Sequence, residues 1–337
     1  MKISTLMLTL VGATILIFSS CTSKASWVKN QGQVFGTYYH LVYESPDGTD
    51  LHKDVMQALD SVNKSLSTYD STSVISMLNQ SDSGTKTDPH FRKVYLAAKE
   101  INIATDGAFD MTIAPLVNAW GFGFTNKQDI TSSLIDSLTQ LVGMNYLELK
   151  NDSILKHRKG VMLDASAIAK GYGVDVAAQI LARHGCQNFL VEIGGEIVCE
   201  GLNVKGELWR IGIDKPFDDP IASNRELQFI IELSGKALAT SGNYRQFYID
   251  KNTGKKYAHT IDPVSGMPVD HSLLSASIIA NDCMTADAYA TACMVLGVEK
   301  SMELMEKHPE MEGCFIFSTK EGMKVSRTKG FDKYATE

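Results

Sequence analysis

Residues 189–198, FLVEIGGEIV, contribute more to the fold assignment than any other stretch. Two apolar runs rich in β-branched residues lie on either side of a pair of glycines, and this composition favours extended backbone. Gly194 and Gly195 permit either a hairpin or the close approach of a ligand to the backbone, and the sequence leaves both open. We therefore predict strand structure across this stretch.

Helical patterns dominate the chain before this stretch, and strands follow it. Apolar periodicity predicts helices at 51–66, 73–78, 91–105, 174–184, 286–296 and 299–307. Strands are predicted at 33–43, 208–213, 227–233, 247–249 and 274–279. This order is typical of an α+β fold with a largely antiparallel sheet. Since no linker interrupts the chain, we expect one compact unit.

The N-terminus has the pattern of a secretory signal. Lys2 precedes the apolar run 3–18, and two serines then lead to Cys21. This order predicts a lipoprotein signal at 1–20, cleavage before Cys21 and lipid attachment to that cysteine. We expect 21–30 to be the anchor and tether and 31–337 the folded domain. The alternative is an uncleaved anchor, although a spanning helix needs about 20 apolar residues.

Composition excludes several classes of protein. The 44% hydrophobic and 21% charged content is that of an ordinary globular chain. The net charge of −7 argues against a nucleic-acid partner. Five cysteines remain besides Cys21, none in a C-x-x-C pair, so we predict buried thiols rather than a disulfide scaffold.

The segment 285–291, TADAYAT, holds a carboxylate and a hydroxyl four residues apart. On a helix, Asp287 and Thr291 share one face, and these oxygens suit Mg²⁺ with substrate phosphates completing its shell. The alternative is an ordinary small-residue helix with its acid placed near the N-terminus for electrostatic reasons. The pattern implies no charged partner for Asp287 in the folded state, so we expect its loss to affect folding little.

Two further segments carry candidate functional groups. In 163–175, an apolar strand passes through small residues into a helix beginning near Lys170, and such a turn can hold a phosphate. If Lys170 holds the phosphate, we expect it to contribute little to folding. The alternative is a plain strand-to-helix connection with a solvated lysine. In 259–268, His259 precedes a turn forced by Pro263 and Gly266, and a histidine there is either structural or a general base.

Taken together and in order, these segments resemble the FAD:protein FMN transferase family, the ApbE-type flavin transferases. The resemblance covers 35–297. Its blocks are Phe35-Gly36-Thr37, Ser67-Thr68-Tyr69 with Ser73, Gly107 to Thr112, Leu116-Val117 with Trp120 to Gly123, Asp164 to Tyr172, Gly194-Gly195-Glu196, Ser241 to Tyr244, His259 to Pro263, and Ala286-Asp287-Ala288 with Thr291.

The resemblance implies an ApbE-like fold, FAD as substrate and Mg²⁺ as cofactor. At matching positions it implies Asp287, Thr291 and the backbone carbonyl of Ala167 as metal ligands. His259 becomes the preferred general base, with Asp164 and Asp262 as competitors. The positions implied to contact FAD are Phe35, Tyr69, Ala108, Phe109, Asp110, Asp164, Lys170 and Ile261.

The implied activity is transfer of the FMN part of FAD to a Thr or Ser hydroxyl of an acceptor protein, with release of AMP. Two alternatives share the same motifs: an FAD pyrophosphatase that releases FMN and AMP, and a flavin-binding lipoprotein without chemistry. The resemblance also implies an acceptor among the subunits of membrane redox pumps. With the lipid anchor, it places the protein on the periplasmic side of a bacterial envelope, at the inner rather than the outer membrane.

Overall fold

The structure is a computed structural model that describes residues 24–217, 226–243, 247–249, 254 and 256–336. The predicted signal 1–20 and Cys21 lie outside the described residues. In the part of the chain that is described, no helix is long and apolar enough to cross a membrane.

The helices fall where the apolar periodicity predicts them, with two additions between residues 114 and 139. They are α1 His52–Leu66, α2 Val74–Gln80, α3 Pro89–Ala104, α4 Ala114–Trp120, α5 Ser132–Thr139, α6 Ala169–Arg183, α7 Cys283–Leu296 and α8 Val298–Lys307.

The strands include several that the sequence patterns do not predict. They are β1 Ser26–Val34, β2 Thr37–Ser45, β3 Gly84–Lys86, β4 Leu147–Lys150, β5 Ser153–Lys156, β6 Phe189–Ile193, β7 Glu196–Glu200, β8 Trp209–Asp214, β9 Leu227–Leu233, β10 Lys236–Gly242, β11 Phe247–Ile249, β12 Lys256–Ala258, β13 Leu273–Ala280, β14 Glu312–Thr319, β15 Gly322–Arg327 and β16 Ala335–Thr336.

Two predicted strands are hairpins in the structure. Residues 189–198 turn at Gly194 and Gly195, whose φ angles are 66° and 103°, so the hairpin alternative is correct. The single strand predicted at 33–43 is wrong, because the chain reverses at Phe35 and Gly36. Both have positive φ, 53° and 74°, as tight hairpin turns require, and β1 pairs with β2 on either side.

One eight-stranded sheet, ordered β1-β2-β6-β7-β10-β13-β14-β15, forms the middle layer, and every neighbouring pair in it is antiparallel. Helices α1, α3, α6, α7 and α8 pack on one face. The small sheet β16-β9-β8 packs on the other. The predicted α+β class and largely antiparallel sheet are confirmed.

Alternation along the strands builds the two cores. The helix-side core includes the strand residues Leu41, Val191, Ala237, Ala239, Ile278 and Phe315. The opposite core includes their neighbours Ile197, Cys199, Leu238, Ile279, Cys314 and Ile316. Since successive strand residues point to opposite faces, both faces must be apolar, and both are covered. All five cysteines of the described part are buried and free, as predicted.

Strand β1 begins at Ser26, inside the range 21–30 assigned to the tether. Its pairing with β2 is continuous from Ser26 to Val34. Trp27 also packs on the core against Trp209, with ring centroids 6.1 Å apart. Residues 26–30 are therefore part of the fold, because they supply ladder hydrogen bonds and an aromatic ring to it.

Candidate active site

Helix α7 carries the predicted metal ligands one turn apart. Oγ1 of Thr291 lies 3.2 Å from Oγ of Ser241 in β10. Asp287 is only 2% exposed, although it is the sole acid in a helix of mostly apolar residues. The predicted placement of both oxygens on one helix is confirmed. Metal binding by the pair stays a prediction.

The start of α6 lies directly against α7. The N–H of Gly171 donates to Oδ2 of Asp287 over 3.0 Å. A Cβ at Gly171 would lie 2.8 Å from Cβ of Asp287 and closer still to the carbonyl of Cys283, so this approach requires glycine. One turn later, the Asp175 carboxylate accepts the N–H groups of Cys283 and Met284, over 2.8 and 2.9 Å. These donors have no partner within the helix, so α6 caps α7.

Lys170, the residue before Gly171, contacts two buried carboxylates. Its Nζ lies 2.8 Å from Oε1 of Glu196 in β7 and 3.6 Å from Oδ1 of Asp287. The Lys170 side chain is 31% exposed, whereas the two acids are 5% and 3% exposed. Neither interpretation of the 163–175 segment included these partners. The expectation that Asp287 has no charged partner in the folded state is wrong.

The charges of these three groups shift one another's pKa values. Burial lowers the pKa of Lys170, but the charges of Asp287 and Glu196 outweigh burial and raise it above its ordinary value. Burial raises the pKa of Glu196 to about 7, with Lys170 opposing the shift and Asp287 adding to it. One ammonium between two carboxylates leaves a net negative charge when all three are ionised.

Two adjacent loops carry Asp110 and Asp164. The N–H of Asp164 donates to the carbonyl of Met111 over 2.8 Å. Each carboxylate accepts two bonds from its own loop, Asp110 from the N–H and hydroxyl of Thr112 and Asp164 from those of Ser166. Burial also raises the pKa of Asp110. The structure thus brings these two predicted FAD contacts together, with their carboxylates ordering the loops.

Three other predicted FAD contacts have side chains in the core. Ala108, Phe109 and Ile261 are 6%, 3% and 5% exposed. Their side chains contribute packing, so a nucleotide contact at these positions would fall to backbone atoms.

Tyr69 is the opposite case, since it is 79% exposed. It lies at a cavity of about 180 Å³ whose lining includes Asn79, Phe124 and Met162. The Asn79 amide donates to the carbonyl of Leu163 and accepts its N–H, over 2.8 and 2.7 Å, directly before Asp164. An exposed aromatic ring beside this cavity offers a stacking surface for a planar ring system.

Phe35 packs against α6. Its ring covers Gly173, where a Cβ would overlap it, and Gly173 is three residues after Lys170 in the helix. The hairpin turn thus sets an aromatic ring against the first turn of α6.

His259 directly follows β12. Its ring lies edge-on to Phe122, with centroids 6.4 Å apart, and its side chain is partly buried. The next residue, Thr260, donates its hydroxyl to Oδ1 of Asn243 over 2.7 Å. Since Asn243 follows β10, this bond ties the His259 segment to the strand that carries Ser241.

Asp262, a competing base, is bound within its own turn. Oδ1 accepts the N–H of Val264 over 2.9 Å, and Oδ2 accepts the hydroxyl of Ser265 over 2.7 Å. Asp164 is engaged similarly, so both acids order loops. His259 remains the preferred base.

The sequence assigns no site role to Asp175, and none to Glu196 and Ser241 beyond their place in blocks that carry the resemblance. Asp175 carries a usable signal, because Gly171 and Asp175 are four apart and share one face of α6. Glu196 carries a weaker one, an acid at the first position of an apolar strand. Its partner lies 26 residues away, and no local pattern identifies that pairing.

The donors fit a hard divalent cation. They comprise a buried carboxylate and two adjacent hydroxyls, and the charged groups around them leave a net negative charge when all are ionised. Mg²⁺ prefers oxygen ligands of this kind. Ala167 lies partly exposed in the turn that leads into α6. Within the described ranges, no group of three or more His, Cys, Asp or Glu side chains could hold a metal ion. A site here would therefore use Asp287 with hydroxyl, carbonyl and substrate oxygens.

Known proteins of similar sequence match nearly the whole chain. The model of the ApbE family matches residues 35–315. An FAD:protein FMN transferase of Vibrio cholerae is 35% identical over 333 residues, which cover 96% of this chain and 98% of the relative. One of Haemophilus influenzae is 34% identical over 336 residues, 95% of each chain.

Solved structures agree with the sequence comparisons. The flavin transferase ApbE of Vibrio cholerae has a TM-score of 0.82 at 35% identity, covering 92% of this chain and 99% of that one. The apo form of the Pseudomonas stutzeri flavinyl transferase ApbE has a TM-score of 0.82 at 33% identity, covering 92% and 97%. Sequence and fold agree over the same residues, and the chain belongs to the ApbE family.

Proposed function

We propose that this protein transfers the FMN part of FAD to a Thr or Ser hydroxyl of an acceptor protein. Relatives named FAD:protein FMN transferase match this chain over nearly their full length. The observation that carries the proposal is the group formed by the buried Asp287 with Thr291 on the same helix and Lys170 beside it, which combines oxygen ligands for a cation with an ammonium for a phosphate.

In this reaction the acceptor oxygen attacks the FMN-side phosphorus of the pyrophosphate. The bond from that phosphorus to the bridging oxygen breaks, and AMP leaves. His259 takes the proton of the attacking hydroxyl, which converts a weak nucleophile into a stronger one. Lys170 binds a pyrophosphate oxygen, and Tyr69 stacks on the flavin beside its cavity.

Asp287, Thr291 and the carbonyl of Ala167 would hold Mg²⁺. When bound, the ion supplies charge neutralisation and polarises the pyrophosphate. The support from this chain is that Asp287 is buried and that it forms, with Glu196 and Lys170, a group with net negative charge when all three are ionised.

Incubation of the purified protein with FAD, Mg²⁺ and an acceptor domain tests the proposal. The control is the same domain with its candidate hydroxyl residue replaced by alanine. We expect flavin fluorescence that stays on the parent acceptor after denaturation, together with AMP. Free FMN and AMP with either acceptor would instead identify a pyrophosphatase, and intact FAD would identify a binding protein.

We further propose that Cys21 carries a lipid and places the domain on the periplasmic side of the inner membrane. The support is the order of Lys2, the apolar run 3–18 and two serines before the cysteine. A membrane redox pump subunit is then within reach as the acceptor.

A further inference from the structure

The ammonium of Lys170 has two carboxylates within reach and lies closer to one of them. Its Nζ is 2.8 Å from Oε1 of Glu196, at hydrogen-bond distance, but 3.6 Å from Oδ1 of Asp287. Glu196 thus holds the ammonium away from the carboxylate that would bind the metal.

Glu196 is suited to hold one cation in one place. Its side chain is 5% exposed and begins strand β7 in the middle sheet. Its second oxygen, Oε2, is buried and has no hydrogen-bond partner in the described part of the chain. Within the described ranges, Lys170 is therefore the side chain that pairs with this buried carboxylate.

The ammonium and a metal ion would meet at the same carboxylate of Asp287. Oδ2 accepts the N–H of Gly171, and Nζ of Lys170 lies nearer to Oδ1, so the ammonium and a metal ion would compete most directly at Oδ1. Without Glu196, Asp287 would be the only carboxylate paired with Lys170 among the described residues, and direct pairing would neutralise it. With Glu196, the group keeps a net negative charge that attracts a divalent cation.

We propose that Glu196 is a positioning residue that keeps Lys170 from neutralising Asp287 and thereby sustains Mg²⁺ affinity without contacting the ion. This inference rests on the proposed Mg²⁺ role of Asp287. In this arrangement Lys170 competes with the metal ion for Asp287, and its ion pair with Glu196 limits that competition.

Calorimetric titration of Mg²⁺ into the FAD-free protein at pH 8 tests the proposal. Glu196→Gln should weaken Mg²⁺ binding by about tenfold, since one negative charge is lost beside the site. The double variant Lys170→Met/Glu196→Gln should recover most of the parental affinity, because it also removes the competing ammonium. Glu192→Gln, a matched change on the neighbouring strand that pairs with His40, should leave Mg²⁺ affinity unchanged.

The outcomes separate the positioning role of Glu196 from the proposed metal site. Unchanged Mg²⁺ binding in Glu196→Gln overturns the positioning role and leaves the proposed metal site intact. Binding that is lost in Glu196→Gln and not recovered in the double variant also overturns it, because the defect is then structural. A parent that binds no Mg²⁺ without FAD overturns the positioning role, whereas the proposed metal site, which includes substrate oxygens, is decided by the Mg²⁺ dependence of FMN transfer. Should Glu196→Gln fail to fold, Lys170→Met alone decides, since it must bind Mg²⁺ at least as tightly as the parent while binding FAD more weakly.

Discussion

Asp287 combines a predicted metal role with a structural one that its sequence context does not reveal. It accepts a backbone N–H from Gly171 and lies beside the ammonium of Lys170. We therefore expect its removal to affect folding more than the sequence pattern predicts. A buried carboxylate with these partners stabilises the contact between α6 and α7, in addition to its proposed role in binding a cation.

Replacing Asp287 with alanine should abolish FMN transfer at ordinary Mg²⁺ concentrations. It should also lower the free energy of unfolding by about 1–3 kcal/mol, because the Gly171 N–H loses its acceptor. Thr291→Ala should be milder and partly rescued by excess Mg²⁺, since a neutral hydroxyl contributes less to cation binding. The measurement is transfer rate against Mg²⁺ for the three proteins, with EDTA as control. A parental Mg²⁺ dependence in Asp287→Ala would place the metal elsewhere.

Lys170 should contribute to stability in a pH-dependent way. The folded state raises the pKa of Glu196 to about 7, so this acid destabilises the fold as pH rises from about 4.5 towards 7. Lys170 opposes that effect while it stays protonated. The free energy of unfolding of Lys170→Met should therefore be close to that of the parent at pH 5. At pH 8 it should be lower by about 1–2 kcal/mol, after allowance for the partial exposure of the lysine.

Urea denaturation of both proteins at the two pH values measures this difference. Lys159→Met, on an exposed ion pair with Asp82, is the control and should show almost no effect. A stability gap for Lys170→Met that narrows with rising pH would contradict the assignment of Glu196 as its partner.

His259 should affect chemistry rather than binding. His259→Gln should lower the transfer rate by about 100-fold or more, because the attacking hydroxyl loses its base, while FAD affinity stays near that of the parent. The parental rate should rise with pH through the range in which a histidine loses its proton, and the variant should lack that rise. Parental pH dependence in the variant would assign the base to another group.

At the scale of elements, the site depends on how α6 meets α7. Gly171 permits the approach, and Asp175 binds the first N–H groups of α7, so the two helices hold Lys170 and Asp287 in register. Neither interaction is local in sequence. The helix that carries the predicted metal ligands is positioned by a carboxylate more than a hundred residues earlier.

Asp175→Ala should lower the free energy of unfolding by about 2–3 kcal/mol, because two buried N–H groups lose their acceptor. Asp282→Ala, which removes the N-cap of the same helix near the surface, should cost about 1 kcal/mol. Burial raises the pKa of Asp175 to about 7, so its contribution to stability declines as pH rises from about 4 to 7. Asp175→Asn should remove this decline. Urea denaturation across that pH range measures the decline in stability. Equal losses of unfolding free energy in Asp175→Ala and Asp282→Ala would contradict the role of Asp175 in binding the start of α7.

At the scale of the molecule, the three layers put the site and the first strand in defined places. The helix layer carries α6 and α7, while β1 forms one edge of the middle sheet. The chain from Cys21 to Ser26 can span at most about 18 Å, at about 3.6 Å per residue. A lipid on Cys21 would therefore hold the folded domain close to the membrane surface.

Cys21→Ala should abolish lipid labelling and either release the mature domain or leave the precursor uncleaved. Fractionation and labelling with a fatty-acid analogue measure this outcome, with Ser23→Ala as the control that keeps both properties. Unchanged labelling and membrane association in Cys21→Ala would remove the anchor from the proposal.

The sequence by itself determined the family, the α+β class, the principal helices and the i,i+4 placement of Asp287 and Thr291. Each of these follows from local periodicity or from the order of short blocks. Only the tertiary structure decided that residues 33–43 form a hairpin, since similar apolar residues lie on both sides of Phe35 and Gly36 and hide the turn. Only it joined Lys170 to Glu196 and Asp287, because burial and ion pairing depend on distances between chain segments that no local pattern encodes.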